Sequence, residues 1–259
     1  MTTKINNFVY SRPLWLGATL FSLLCYAFSF HFFPKAFPII HLDITMNRKQ
    51  ALEKADTLAQ THQWGPENHQ NAVIFHTDVT VQTFIELEAG GKNAFISMMK
   101  NKLYMPYTWN VRHFKEFDKN ETTIKFTPDG NPYSFIETIS ENDGGEQLTE
   151  KKARAIAENN AQEHWNIDFT PYTLVEASQK VQPSDRIDHT FVYERTDITI
   201  GEGFYRLKIQ VSGDKITELT PFIKVPETFL RRYAEMRSAN NTIAWAATIL
   251  MSWLYMIGG

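Results

Sequence analysis

A repeated alanine face constrains this chain more than any other feature. Ala51, Ala55, Ala59 and His62 recur as Ala153, Ala157, Ala161 and His164, roughly 100 residues further along. Spacings of three and four put each set on one side of a helix. Alanine adds no bulk there, so each helix lies close against the surface it covers, and a sheet offers such a surface. Asn47 is the expected N-cap of the first helix, over 48–62, and Thr149 that of the second, over 150–164. The second cap lacks a full capping box, because Lys152 stands where Glu or Gln would complete it.

Alternating segments follow each helix. In the first half they are His41–Met46 (ahead of the helix), Thr108–Phe114, Thr122–Thr127 and Tyr133–Ile139, with the turn Pro128-Asp129-Gly130-Asn131. In the second half they are Thr190–Arg195, Phe204–Val211 and Lys215–Thr220, with the turn Ser212-Gly213-Asp214. Leu207, Ile209 and Val211 share one face, and Arg206, Lys208 and Gln210 the other. The first half also carries an insertion. Asp78 caps VTVQTFIELEAGG, which stops at Gly90-Gly91, and Lys92–Leu103 forms a further helix whose Phe95, Met98 and Met99 cover the sheet. The chain therefore reads as α+β: two repeated helix-plus-antiparallel-sheet units, 42–142 and 146–225, joined by the polar linker Ser140–Glu146 and set between two transmembrane helices.

Both ends are apolar. After a polar tail, 1–13, Leu14–Phe33 holds about 20 residues without a formal charge, the length that crosses a bilayer. That run is long for a signal peptide, and no small-x-small cleavage site follows it. Its His31 lies among aromatics at the expected membrane interface, and Pro34 and Pro38 are expected to end the helix. At the other end Pro226 opens a basic helix over 226–241. Pro226, Phe229, Arg231, Arg232, Tyr233 and Arg237 are the candidate membrane-coupling residues, since an apolar and aromatic stripe flanked by arginines suits lipid headgroups. The last segment, 243–259, is charge-free, but its core of about 15 residues spans only about 22 Å. It reads as a truncated transmembrane segment, and the chain as the front part of a longer membrane protein.

Several functions lack support. The net charge of −3 offers no basic field for nucleic acid. The single cysteine, Cys25, excludes an internal disulfide or a CxxC site. There is no HExxH, GxSxG or P-loop. His62, His69 and His76 recur every seven residues, but they span a helix end, the Gly65-Pro66 turn and a strand, so nothing brings them together as metal ligands. Asp185, Asp188, His189 and Glu194 read as a polar loop that fixes the start of a strand. Arg112 and Arg195 fall at similar places in the two halves and are expected to pair with acids such as Glu116 or Glu194. The sequons at Asn120 and Asn240 matter only in a glycosylating host.

One resemblance rests on longer strings. They are Asp188-His189-Thr190-Phe191 with Tyr193-Glu194-Arg195, the hairpin Arg206-Leu207-Lys208 to Ser212-Gly213-Asp214, and Phe222-Ile223-Lys224-Val225-Pro226-Glu227 with Phe229, Arg232-Tyr233 and Met236-Arg237-Ser238-Ala239-Asn240-Asn241. These resemble the amino-terminal region of large bacterial CPBP-family (CAAX-protease-like) intramembrane metalloproteases. Trp109-Asn110-Val111-Arg112 and Phe114, followed by Pro128-Asp129-Gly130, resemble the earlier part of the same region. The paired units are also similar, at the level of fold, to PepSY modules. The family's membrane core holds its metal with a Glu-Glu-x-x-x-Arg motif and later histidines, and this sequence has no adjacent Glu-Glu pair. No catalytic residue is carried over, and a divalent metal cofactor is implied only for a complete family member. The resemblance implies a membrane-anchored noncatalytic regulatory module, or else an intramembrane metalloendopeptidase truncated before its catalytic helices. Implied partners are membrane lipid, a peptide, or a membrane-protease core. The implied location is the bacterial inner membrane, multi-pass, with the soluble module outside the cytoplasm.

Overall fold

The computed structural model describes residues 12–36 and 38–258, so most of the polar tail 1–13, together with Phe37 and Gly259, lies outside the described residues. Two compact units are present, Met1–Asp43 and Ile44–Gly259. The first holds helix α1, Arg12–Ala36, followed by a 3-10 turn at Pro38–His41. The helix runs on past Pro34, because a proline near a C-terminus removes a single backbone hydrogen bond in a turn that frays anyway. Arg12–Phe33 has a mean hydropathy of 1.6 and is the one span among the described residues long and apolar enough to cross a membrane, a test that a signal sequence also meets.

The expected strand at 41–46 does not form: His41 closes the 3-10 turn, and the second unit opens with a few residues that lead into α2, Arg48–His62. Asn47 caps α2 with a complete box, since its side chain accepts from Gln50 N while the Gln50 side chain accepts from Asn47 N. There follow β1, Gln70–Thr77; α3, Val79–Glu88; α4, Gly91–Lys100; β2, Tyr107–Phe114; β3, Glu121–Phe126; and β4, Pro132–Thr138. The second half repeats the plan without the helical insertion: α5, Glu150–Trp165; β5, Tyr172–Val181; β6, Ile187–Arg195; β7, Phe204–Ser212; and β8, Lys215–Lys224. A long helix, α6, Glu227–Gly258, ends the chain.

The strands make one eight-stranded antiparallel sheet in the order β1-β2-β3-β4-β8-β7-β6-β5. Each half is a four-stranded meander, and β4 joins β8 through Phe135↔Leu219 and Ile136↔Glu218. The halves thus share a sheet and a core. Ala51, Ala55 and Ala59 of α2 and Ala153, Ala157 and Ala161 of α5 are all buried, in one cluster with Val111, Ile124, Phe135, Phe191, Leu207, Ile209 and Leu219. The repeated histidines meet where the halves join. His62 stacks on Trp64 with ring centroids 4.5 Å apart and lies edge-on to His164 at 6.0 Å. Trp64 in turn stacks on Phe135 at 4.1 Å. The other face of the sheet is polar and laced across strands, with Ser134 bonded to Thr220, Lys208 to Glu218 and Arg206 to Glu194. Strands β1 and β5 are its two edges.

Candidate functional site

Two places gather residues with chemical potential. The first is the start of α6. Pro226 precedes its first turn and accepts from Leu230 N. Phe229 is 1% exposed and meets the edge of Phe84 from α3, with centroids 5.2 Å apart. A side chain at Gly203 would place its Cβ 2.7 Å from the Phe84 ring, so glycine there makes room for this contact. Tyr233 stacks on Phe229 at 5.7 Å, and the Arg237 guanidinium lies 6.0 Å from the Tyr233 ring centroid. Arg232 forms an ion pair with Glu88 of α3, while Arg231 is exposed. These contacts bind the first turns of α6 to the insertion. Beyond them Trp245, Leu250, Trp253 and Tyr255 are exposed along the charge-free part of the helix.

The second place lies under α2. Asp56 projects from α2, His69 from the loop before β1, and His113 from β2. Their ligand atoms all lie within 4.8 Å of one another. Asp56 Oδ1 is 3.4 Å from His69 Nε2, 3.3 Å from His113 Nε2, and 3.3 Å from Asn71 Nδ2, which donates to it. The two imidazoles stack at 4.0 Å. His69 Nδ1 faces the Pro66 carbonyl at 3.2 Å. His113 is wholly buried, and neither ring nitrogen forms a hydrogen bond. Burial above all, with His69 beside it, lowers its pKa from 6.5 to about 4, against an upward pull from Asp56, so the ring is neutral at neutral pH. The loop is pinned by Gly65, whose N–H donates to Glu137 Oε1 at 3.1 Å and whose φ of +78° sits against Thr122.

The heptad-spaced histidines separate. His62 belongs to the aromatic column between the halves, and His76 lies in β1 opposite Thr108. His69 instead stacks on His113, which lies outside the heptad series. His113 had one signal in the sequence: it shares a strand face with Val111, which marks a polar group aimed at the core. The cluster of Asp185, Asp188, His189 and Glu194 also disperses. Asp188 takes the buried guanidinium of Arg186 at 2.8 Å, His189 Nε2 meets the Leu148 carbonyl at 2.9 Å, and Glu194 pairs with Arg206. Arg186 also donates to the Ser140 and Asp143 carbonyls, which ties the linker to the β5–β6 turn. Arg112 pairs with Glu121 and not Glu116, and Arg195 with Asp197 and not Glu194, because cross-strand and turn neighbours lie closer than the expected acids.

No family model matches the chain, and no curated protein does. A solved structure similar to it is the Bacillus megaterium YpeB C-terminal domain, with a TM-score of 0.38 and 14% identity. The alignment covers 68% of this chain and 62% of that one, so the chain spans less than two thirds of the neighbour.

Proposed function

We propose that this chain is a membrane-anchored, noncatalytic regulatory module of a bacterial inner membrane, with its α+β body outside the cytoplasm. The observation that carries this reading is α6. One uninterrupted helix begins with Phe229 sunk into the body and ends in an exposed, charge-free stretch. Such a helix passes a displacement of its buried end to its apolar end, because a helix without a break moves as a rod. In this reading α1 is one anchor and the apolar part of α6 is a second. The resemblance of residues 188–241 to the amino-terminal region of CPBP-family proteases makes a membrane core of that kind the target of α6. The PepSY-like units would serve as the receiving end, where an extended peptide adds to the free edge of β5.

Fractionation tests the coupling. A chain starting at Ile44 lacks α1 and is expected to stay with membranes through α6; a fully soluble monomer would rule out the second anchor. Orientation is tested in a Cys25→Ser chain carrying Asn142→Cys. Labelling of intact cells with an impermeant maleimide is expected, and labelling only after the inner membrane is opened would reverse the placement.

A further inference from the structure

We propose that Asp56, His69 and His113 bind one divalent transition-metal ion of the zinc class. Three separate elements bring a carboxylate oxygen and two imidazole nitrogens to one point. The oxygen-to-nitrogen separations are 3.4 and 3.3 Å. Ligands about 2.0–2.1 Å from a tetrahedral ion stand about 3.3–3.4 Å from one another. Both separations match that spacing, and all three ligand atoms lie within 4.8 Å of one another.

Orientation points the same way. The Pro66 carbonyl is an acceptor only, so His69 Nδ1 donates to it and Nε2 is the ring nitrogen that faces Asp56. A bond of this kind is what orients a metal-ligating imidazole from behind. His113 adds a buried ring with no hydrogen bond and its Nε2 beside the same oxygen. A cation placed among them would meet the carboxylate and both imidazoles at once. Two imidazoles and one carboxylate favour zinc, copper, nickel or cobalt over calcium or magnesium, which prefer oxygen alone. The side chains of His69 and Asp56 are 21% and 39% exposed, so the ion has a path from solvent. His69 also lines a cleft of about 710 Å³ with Gln60, Trp64 and Glu67, which leaves room for water or a ligand at a further position. Bound there, the ion ties α2 to the β1–β2 edge of the sheet.

The test uses the full chain in detergent, stripped with a chelator and titrated at neutral pH with Co²⁺ and then Zn²⁺. The expected result is one ion per chain, a visible Co²⁺ absorption band of the tetrahedral kind, and a Tm that rises by roughly 5 °C in excess Zn²⁺. Asp56→Asn and His69→Gln should each weaken binding by at least about tenfold. His62→Gln and His76→Gln should leave it unchanged. His113→Gln alters a buried site and can fail to fold, so the two partly exposed ligands decide the matter, with circular dichroism confirming that each variant is folded. Absence of stoichiometric binding to the unaltered chain overturns the proposal, as does full binding by either folded variant. A proton shared between His69 and Asp56 would then account for the cluster.

Discussion

Asp56 and Glu158 each follow a repeated alanine, at matching positions of α2 and α5, yet they meet opposite kinds of partner. Glu158 accepts from the Tyr193 hydroxyl at 2.9 Å and from Arg154 Nε at 2.8 Å, so its charge is met by donors of its own half. Asp56 faces the ring nitrogens of His69 and His113 and accepts from Asn71. The repeated scaffold presents a carboxylate at the same place twice. One copy is met by a hydroxyl and a guanidinium, and the other by two imidazoles. The connections differ as well. The first half joins β1 to β2 through α3 and α4, of which α3 receives α6, whereas the second joins β5 to β6 by a short turn clamped by Arg186.

The strongest way to break the second half is at that clamp. Arg186→Ala leaves Asp188 buried without its guanidinium and should cost about 3–5 kcal/mol in chemical unfolding. The equivalence of the two helices is tested by overpacking. Ala55 and Ala157 are both wholly buried, so Ala55→Leu and Ala157→Leu should each cost about 1–3 kcal/mol, and a marked inequality would show that only one helix lies tight on the sheet. The carboxylates should separate cleanly. Glu158→Gln is expected to lose about 1 kcal/mol without metal, by weakening charge-assisted bonds, and to leave the Zn²⁺ response intact. Asp56→Asn should do the reverse.

The caps give a further contrast. Asn47→Ala removes a capping box and should cost about 1 kcal/mol. Thr149 makes no side-chain capping bond, so Thr149→Ala should be near neutral. The smallest effect is one of pH, at the junction of the halves. Burial, then His164 and then Lys215 hold the His62 pKa below its usual 6.5. The unfolded ring takes up its proton at higher pH than the folded one, so this contribution is present above about pH 6.5 and is lost as pH falls below it. His62→Gln should flatten that part of a Tm-against-pH curve.

Much of the fold was legible because it is local. Three-and-four spacing marked both alanine faces, alternation marked β7, and Asn47 and Asp78 marked helix starts. Strand β5 escaped, since its edge position exposes both faces and weakens the alternation that reveals a half-buried strand. The expected strand at 41–46 failed because six alternating residues without a neighbouring strand gain no ladder of hydrogen bonds. The candidate metal cluster was hidden for another reason. Its residues come from a helix, a loop and a strand, and the heptad spacing of His62, His69 and His76 drew attention to the wrong set.

By itself, then, the sequence determined the repeated alanine faces, the caps, the hairpin turns and the apolar span at Leu14–Phe33, because each depends on side chains a few residues apart. Only the tertiary structure decided that the two meanders share one sheet through β4 and β8, that Phe229 inserts beside Phe84, and that Asp56, His69 and His113 converge. Those outcomes depend on strand order and loop closure, which set the distance between residues far apart in the chain and leave no periodic trace within it.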